Sequence, residues 1–126
     1  MARSSGETIS IGGHQFRLTH PDKVMYPETG TTKADVINYY VAIAPFMLPH
    51  VVGRPATRKR WVDGVGTPGN PGQVFFEKNL PDSAPSWIRR TTIQHKTTRN
   101  SYIVIQGVAE LAWLGQMAAL EIHVPQ

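Results

Sequence analysis

Residues 19–47 read THPDKVMYPETGTTKADVINYYVAIAPFM, a loop followed by a helix. The first half contains two prolines and a glycine between polar residues, which is typical of a structured loop. The second half predicts an amphipathic helix that is capped by Thr31 or Thr32 and ends by about Pro49. Its apolar residues recur at steps of three and four: Val36, Tyr39, Tyr40, Ile43, Phe46 and Met47. Such a helix buries one face, so the rest of the chain must supply the surface that it covers.

Strands are predicted on both sides of this helix. Residues 8–18 predict a β-hairpin around Gly12-Gly13, because a glycine pair supplies the positive φ angles of a two-residue turn. Residues 1–8 are small and polar, and we expect them to be frayed. After the helix, four further regions predict strands: ATRKRWV (56–62), QVFFEKNL (73–80), the pair TTIQHKT (91–97) and SYIVIQG (101–107), and EIHVP (121–125).

A second helix is predicted over residues 108–120, which are rich in Ala, Leu and Met. Between the strands, residues 63–72 predict a loop tip, and residues 81–90 a short helical turn capped by Asp82 or Ser83. The fold class is therefore α+β, with a mixed or antiparallel sheet and two main helices. The chain of 126 residues has the length of a single domain, residues 1–126.

The composition excludes several classes of protein. Without cysteine there is no disulfide framework, thiolate metal site or cysteine nucleophile. No apolar run is long enough to span a membrane, and the N-terminus lacks the apolar region of a secretory signal, so we expect a cytoplasmic protein. The net charge is +4, which favours anionic partners.

The positive charge is local. One cluster comprises Arg54, Arg58, Lys59 and Arg60, on a strand whose alternate basic residues let one face pack while the other points at a ligand. The other cluster comprises Arg89, Arg90, His95, Lys96 and Arg99, within an acid-free stretch over residues 83–109. Both are candidate phosphate-facing surfaces. The alternative is that they are solvated strand edges that prevent aggregation.

Known catalytic motifs are missing. The chain contains no nucleotide-binding glycine loop, no nucleophile elbow and no His-Glu-x-x-His helix. It also lacks any Asp-x-Asp or Asp-x-Glu pair that could hold two metal ions. Glu121 could supply one metal ligand at most, and is otherwise an ordinary surface acid. We therefore assign no catalytic residue and no metal ligand.

Lys23 and Lys33 bracket the loop at residues 23–33. If the ends of this loop lie close together, two ammonium groups can face one phosphate, and Lys33 gains from the adjacent helix N-terminus. Alternatively, Lys23 only keeps the loop soluble and Lys33 is an ordinary residue of the first helical turn. The spacing alone leaves both readings open.

Phe75, Phe76 and His123 are three further candidates. Adjacent residues of a strand face opposite sides, so only one phenylalanine can enter a single-faced core, and the other could stack on a nucleic-acid base. A strand buried on both sides explains the pair equally well. His123 lies between apolar residues on the last strand, where it is either a ligand-binding group or a structural histidine.

Four runs in this order carry a family resemblance: LTHPDKVMYPETGTTKADVINYY, MLPHVVGRPATRKRW, FFEKNLP and ALEIHVPQ. Together they resemble the polymerase domain of bacterial DNA ligase D and its stand-alone relatives in the archaeo-eukaryotic primase superfamily. The resemblance implies the N-terminal part of a primase-like fold. It also implies a nucleotidyltransferase of non-homologous end joining that binds 5′-phosphorylated DNA ends or gaps, prefers ribonucleoside triphosphates and uses manganese or magnesium. Ku and attached ligase or nuclease domains are implied partners, and the location is the bacterial cytoplasm, close to the nucleoid.

The resemblance also assigns roles to residues. By this likeness Lys23, Lys33 and His20 bind the 5′-phosphate, with His20 at a position where relatives have Asn. Lys59, Arg60 and His123 bind the incoming nucleotide, and Phe75 and Phe76 stack on the template. The family's metal-binding Asp-x-Asp pair follows the segment that ends this chain, so we expect this piece to hold no metal and to be inactive alone. The alternatives are a non-catalytic module that binds 5′-phosphorylated ends, and an α+β protein whose basic clusters serve only solubility.

Overall fold

The computed structural model describes residues 6–124. It contains eleven strands and two helices in this order: β1 (Glu7–Ile11), β2 (His14–Leu18), β3 (Val24–Tyr26), β4 (Thr31–Thr32), α1 (Lys33–Val51), β5 (Pro55–Arg60), β6 (Gly66–Thr67), β7 (Asn70–Pro71), β8 (Phe75–Glu77), β9 (Arg90–Gln94), β10 (Arg99–Val104), α2 (Val108–Gln116) and β11 (Ala119–His123). The predicted α+β class is confirmed, and all the strand pairs described are antiparallel.

The main sheet has the strand order β11-β5-β10-β9, and β8 pairs with β5 beside this path. Three small hairpins, β1–β2, β3–β4 and β6–β7, accompany it. The predicted N-terminal hairpin is confirmed, with positive φ angles at Gly12 and Gly13. Glu7 and Thr8, which the sequence assigns to a frayed end, pair with Leu18 and Arg17; residues 1–5 lie outside the described residues.

Helix α1 begins where the sequence predicts. Thr32 is the N-cap: its Oγ1 accepts a hydrogen bond from the Asp35 amide at 3.2 Å, and Asp35 Oδ2 accepts one from the Thr32 amide at 2.9 Å. This reciprocal capping box satisfies two amides that the helix cannot. The helix ends at Val51, slightly beyond the predicted end near Pro49.

The core lies between the helices and the sheet. Most of α2 is buried, and its apolar side chains pack with those of α1 and with Ile103 and Ile105. The Tyr40 hydroxyl donates a hydrogen bond of 2.6 Å to the Ala119 carbonyl and so ties α1 to β11. Neither helix among the described residues has the length and apolarity of a membrane-spanning segment.

Two predicted elements are wrong in part. Helix α2 stops at Gln116 and not near residue 120, because Ala118 adopts a φ of 60° and the chain turns into β11. Residues of β5 and its continuation bind the freed carbonyls: Arg60 Nε donates to Met117 at 2.6 Å, and the Trp61 amide to Ala118 at 3.0 Å. The predicted helical turn at residues 81–90 consists of turns closed by the bonds Ala84 N–H to Pro81 and Ile88 N–H to Pro85.

Gly115 lets the two helices approach closely. A Cβ there would lie 3.0 Å from Ile37 Cγ1, 3.2 Å from Tyr40 Cδ2 and 3.3 Å from the backbone Cα of Ile37. Alanine favours the helix by about 1 kcal/mol over glycine, but overpacking a core costs about 1–3 kcal/mol. Because one of the contacted atoms is backbone, we expect the upper half of the net range, so that Gly115→Ala lowers the free energy of unfolding by about 1–2 kcal/mol.

Urea unfolding would measure this change. Gly69→Ala is the matched control, because no atom lies within 4 Å of a Cβ at Gly69. If the Gly115→Ala protein is as stable as the wild type, the two helices can move apart without a cost in free energy, and the prediction is wrong.

Candidate nucleic-acid interface

The loop that carries the two candidate lysines closes on itself. The Lys33 amide donates a hydrogen bond of 2.8 Å to the Lys23 carbonyl, and Val24 pairs with Thr32 in the β3–β4 hairpin. The Lys23 amide donates to the His20 carbonyl at 3.1 Å, so His20 lies one turn away. The structure therefore brings His20, Lys23 and Lys33 together at the start of α1.

Lys33 is a buried cation. Its side chain is 6% exposed, and its Nζ donates a hydrogen bond of 2.8 Å to the Thr19 carbonyl. An ammonium group has three donors, so two remain for another acceptor. Burial, the Lys23 ammonium and the Arg60 guanidinium lower the pKa of Lys33 to about 8. Three cations therefore converge here, at a cost in stability that an anion would offset.

Lys23 is more accessible. Its Nζ donates to the Val62 carbonyl at 3.1 Å and lies 3.5 Å from Asp63 Oδ1. The Asp63 carboxylate is 89% exposed, so this ion pair is screened by water and contributes little. A phosphate could displace Asp63 from Lys23 at low cost.

The amide groups at the start of α1 are already bonded. The Lys33 and Ala34 amides donate to the Lys23 and Pro21 carbonyls, and those of Thr32 and Asp35 take part in the capping box. The expected help from the helix N-terminus is thus limited to its dipole, and side chains must bind any phosphate at this site.

Two residues that the sequence did not indicate hold this site in place. Gln116, buried at the end of α2, accepts a hydrogen bond of 2.9 Å from the Thr19 amide and donates one of 2.6 Å to Thr19 Oγ1. The Thr19 carbonyl is in turn the acceptor for Lys33. A single amide side chain in a mostly apolar helix was the available signal, but its partner lies 97 residues away.

His20 has a φ of 50°, in the left-handed region that non-glycine residues rarely adopt. Its side chain is exposed beside the loop of the two lysines. The turn at His20 is held by the bond from Lys23 and by the Ala34 amide bound to Pro21. A strained backbone conformation of this kind is maintained where the surrounding structure holds it in place.

Lys59 and His123 lie together on one face of the main sheet. Lys59 pairs with Glu121 across β5 and β11, and Thr57 pairs with His123. Glu121 Oε1 lies 2.9 Å from His123 Nε2 and 3.9 Å from Lys59 Nζ. All three side chains are about half exposed. A lysine and a histidine are thus presented to solvent around one carboxylate.

Arg60 does not join this pair. It follows Lys59 on β5 and therefore lies on the opposite face, where its guanidinium contacts Glu77 and the Met117 carbonyl. Its charge acts on Lys33 instead. The three residues assigned to the nucleotide therefore do not lie together. Lys59 and His123 share one face of the sheet, and Arg60 lies on the opposite face.

The expectation that the alternate basic residues of this strand point at a ligand is wrong for Arg58. Arg58 is 1% exposed, on the packed face that also holds Ala56, and its Nη2 donates to Glu77 Oε1 at 3.0 Å and to the Asn79 carbonyl at 2.9 Å. The carboxylate that makes this burial possible comes from β8, nineteen residues further along the chain. The second basic cluster is exposed throughout: Arg89, Arg90, His95, Lys96 and Arg99.

Both interpretations of the burial of the phenylalanine pair are wrong, whereas stacking on a template base stays a prediction. Phe75 is 42% and Phe76 53% exposed, so neither ring enters the core. β8 is neither a two-sided buried strand nor a strand with one buried ring. The two rings instead present exposed aromatic surface on opposite sides of β8.

The described residues do not fit a divalent metal. Among residues 6–124, no three side chains of His, Asp and Glu are grouped so that they could hold an ion. Glu121 and His123 are close, but they bond to each other and lie beside the Lys59 ammonium, which repels a cation.

Comparison with known proteins identifies a similar fold and a family. A solved polymerase domain from Mycobacterium tuberculosis ligase D, in complex with DNA, superimposes with a TM-score of 0.79 at 52% identity, covering 86% of this chain and 36% of that chain. The fold thus matches part of a ligase D polymerase domain. Residues 32–126 also match the family described as LigD, primase-polymerase domain. The chain belongs to this family.

Curated relatives extend the comparison. The chain is 54% identical over 112 residues to the multifunctional non-homologous end joining protein LigD of Mycolicibacterium smegmatis, covering 89% of this chain and 14% of that protein. It is 30% identical over 111 residues to the bifunctional non-homologous end joining protein LigD of Bacillus subtilis, covering 88% and 17%. The chain thus spans less than a fifth of the length of these relatives.

Proposed function

We propose that this chain binds DNA ends or gaps that carry a 5′-phosphate, as the N-terminal part of a primase-polymerase domain acting in non-homologous end joining. The observation that carries the proposal is the closed loop that brings Lys23 and Lys33 together, with Lys33 buried and partly uncompensated. A buried ammonium beside two other cations is costly unless an anion binds. The family membership and the DNA complex of the similar polymerase domain support the same conclusion.

The terminal phosphate would bind between the two lysines. Lys23 exchanges the exposed carboxylate of Asp63 for a phosphate oxygen, and Lys33 uses the two donors that Thr19 leaves free. Arg60 adds positive potential without direct contact, since its guanidinium is engaged by Glu77 and Met117. His20, exposed at the edge of the loop, donates from its ring to the same phosphate.

The remainder of the DNA would follow the exposed surface. Phe75 and Phe76 offer rings on which template bases stack, each worth about 1–3 kcal/mol. The exposed basic residues of the β9–β10 hairpin would contact backbone phosphates and make binding dependent on salt.

Nucleotide addition belongs to the complete domain. Lys59 and His123, which share one face of the sheet, would contact the incoming ribonucleoside triphosphate. The manganese or magnesium of the reaction would be held by residues outside the described part of this chain. Ku and attached ligase or nuclease domains are proposed partners, and the cytoplasm, close to the nucleoid, is the proposed location.

Gapped duplexes with either a 5′-phosphate or a 5′-hydroxyl test the proposal. At fixed salt, fluorescence anisotropy should show roughly ten- to hundredfold tighter binding of the phosphorylated duplex, since hydrogen bonds to charged groups contribute about 1.5–3 kcal/mol. Asp63→Asn, which removes the competing carboxylate from Lys23, should increase this preference. Equal affinity for both duplexes would refute the role of Lys23 and Lys33 in binding a 5′-phosphate.

A further inference from the structure

The strand β8 carries two aromatic rings that the core does not hold in place. Phe75 and Phe76 are both exposed, and among residues 6–124 the core cluster includes neither. In the described part of the chain β8 pairs with β5 alone, in the register Phe75↔Arg60, Phe76↔Lys59 and Glu77↔Arg58. An edge strand of only three residues, none of them with a buried apolar side chain, is held weakly by the rest of the fold. Another contact must therefore fix the position of the rings.

The Glu77 carboxylate makes that contact. Its Oε1 accepts a hydrogen bond of 3.0 Å from Arg58 Nη2, and its Oε2 accepts one of 3.0 Å from Arg60 Nη1. The carboxylate thus lies between two guanidinium groups, and each oxygen has its own charged donor. Hydrogen bonds between charged groups are stronger than those between neutral groups, so these two restrict the orientation of β8.

Both arginines are themselves anchored. Arg58 is 1% exposed and also donates to the Asn79 carbonyl, two residues beyond Glu77. Arg60 donates from Nε to the Met117 carbonyl after α2. Within the described residues, Nε and Nη1 of Arg58 have no hydrogen-bond partner. Glu77 is therefore the acid that compensates this buried charge, and it joins β8 to rigid parts of the fold.

We infer that Glu77 is a positioning residue for the DNA template: held between Arg58 and Arg60, it fixes β8 so that Phe75 and Phe76 stack on template bases. Phe75 and Glu77 lie on the same face of β8, two residues apart. A change at the carboxylate is thus passed to the rings through the strand backbone. This inference rests on the proposed function, in which the rings contact the template.

A gapped duplex with a 5′-phosphate and 2-aminopurine in the template strand beside the gap tests the inference. Stacking on Phe75 or Phe76 changes the fluorescence of this base. We expect Glu77→Gln to abolish that change and to weaken binding roughly tenfold, the loss typical of one stacked base. The preference for 5′-phosphate over 5′-hydroxyl, which depends on Lys23 and Lys33, should remain.

A double-mutant cycle separates positioning from simple loss of structure. In a Phe75→Ala/Phe76→Ala protein, Glu77→Gln should cause no further loss, because nothing is left to position. Glu7→Gln removes the same charge from β1 and is the matched control. Thermal unfolding verifies the fold of each variant, and if Glu77→Gln does not fold, Glu77→Asp, which keeps the charge but shortens the reach, takes its place.

The outcomes are distinct. If the phenylalanine variant loses the fluorescence change and the glutamine variant keeps it, the positioning role is wrong and template stacking stands. Equal losses in both backgrounds, with a weaker 5′-phosphate preference, indicate a merely structural role and also overturn the inference. A wild-type protein that causes no fluorescence change refutes template stacking, and the inference with it.

Discussion

Replacing Lys33 by methionine should abolish most of the preference for a 5′-phosphate and leave the protein about as stable as before or more stable. The ammonium of Lys33 is buried, and its charge is opposed by burial and by the nearby cations of Lys23 and Arg60. Methionine has a similar length and removes this charge at the cost of one hydrogen bond, that to the Thr19 carbonyl. We expect a free energy of unfolding within about 1 kcal/mol of the wild type or above it.

The binding loss should be large. A hydrogen bond to a charged group contributes about 1.5–3 kcal/mol, so losing the Lys33 contact weakens binding of the phosphorylated gap by roughly ten- to hundredfold. The affinity for the 5′-hydroxyl duplex should change little. Anisotropy titrations of both duplexes, with urea unfolding of the same samples, measure the two quantities together.

Lys96→Met is the matched control for this variant. Lys96 is exposed on the β9–β10 hairpin, and removing its charge should weaken both duplexes equally and reduce the salt dependence by about one phosphate contact. A Lys33→Met protein that keeps the 5′-phosphate preference, or that loses it only by unfolding, would contradict a binding role for the buried ammonium.

Local signals explain what could be predicted from the sequence. Thr32 caps α1 because its side chain and that of Asp35 are three residues apart, and Gly12-Gly13 turns the first hairpin because of its own φ preferences. The closure of the lysine loop also has a local cause, since its two ends pair as β3 and β4. These features depend on neighbours in the chain and are visible in the residues alone.

The rest depends on residues far apart in the chain. The burial of Arg58 requires Glu77, and the position of Lys33 requires Thr19, which Gln116 holds from the end of α2. No periodicity or spacing indicates such pairs, because each depends on how the strands and helices assemble. The end of α2 also depends on residues far away in the chain. Arg60 of β5 and the Trp61 amide donate hydrogen bonds to the Met117 and Ala118 carbonyls, which would otherwise be free to accept from a further helical turn.

A consequence of this assembly is that the three basic residues of β5 have two separate roles. Arg58 and Arg60 face Glu77 on one side of the strand, whereas Lys59 faces Glu121 on the other. The basic run at residues 58–60 therefore binds the Glu77 carboxylate on one face of the strand and presents a solvent-accessible cation on the other face. Alternation along a strand separates these roles without any change in composition.

The preference for a 5′-phosphate should also fall as the pH rises through about 8, where Lys33 loses its proton in the free protein. The phosphate is almost fully ionised over this range, because its second pKa is about 6. Between about pH 7 and 9.5 we expect a decrease of roughly tenfold in the ratio of the two affinities. Anisotropy at constant ionic strength measures it, and Lys33→Arg, which stays charged, should remove the decrease.

Stability should change in the opposite direction over part of this range. The pKa of Lys33 is about 8 in the folded protein and 10.5 for an ordinary lysine, so between these values the unfolded chain binds more protons. The contribution of Lys33 to the free energy of unfolding therefore rises with pH from about 8 to 10.5, because the costly buried charge is lost. Comparing wild type with Lys33→Met isolates this contribution from other titrating groups. Alkaline unfolding would weaken phosphate binding and lower stability together. We expect instead that phosphate binding weakens while the contribution of Lys33 to stability increases. A parallel loss of binding and stability would show that the pH acts on other groups.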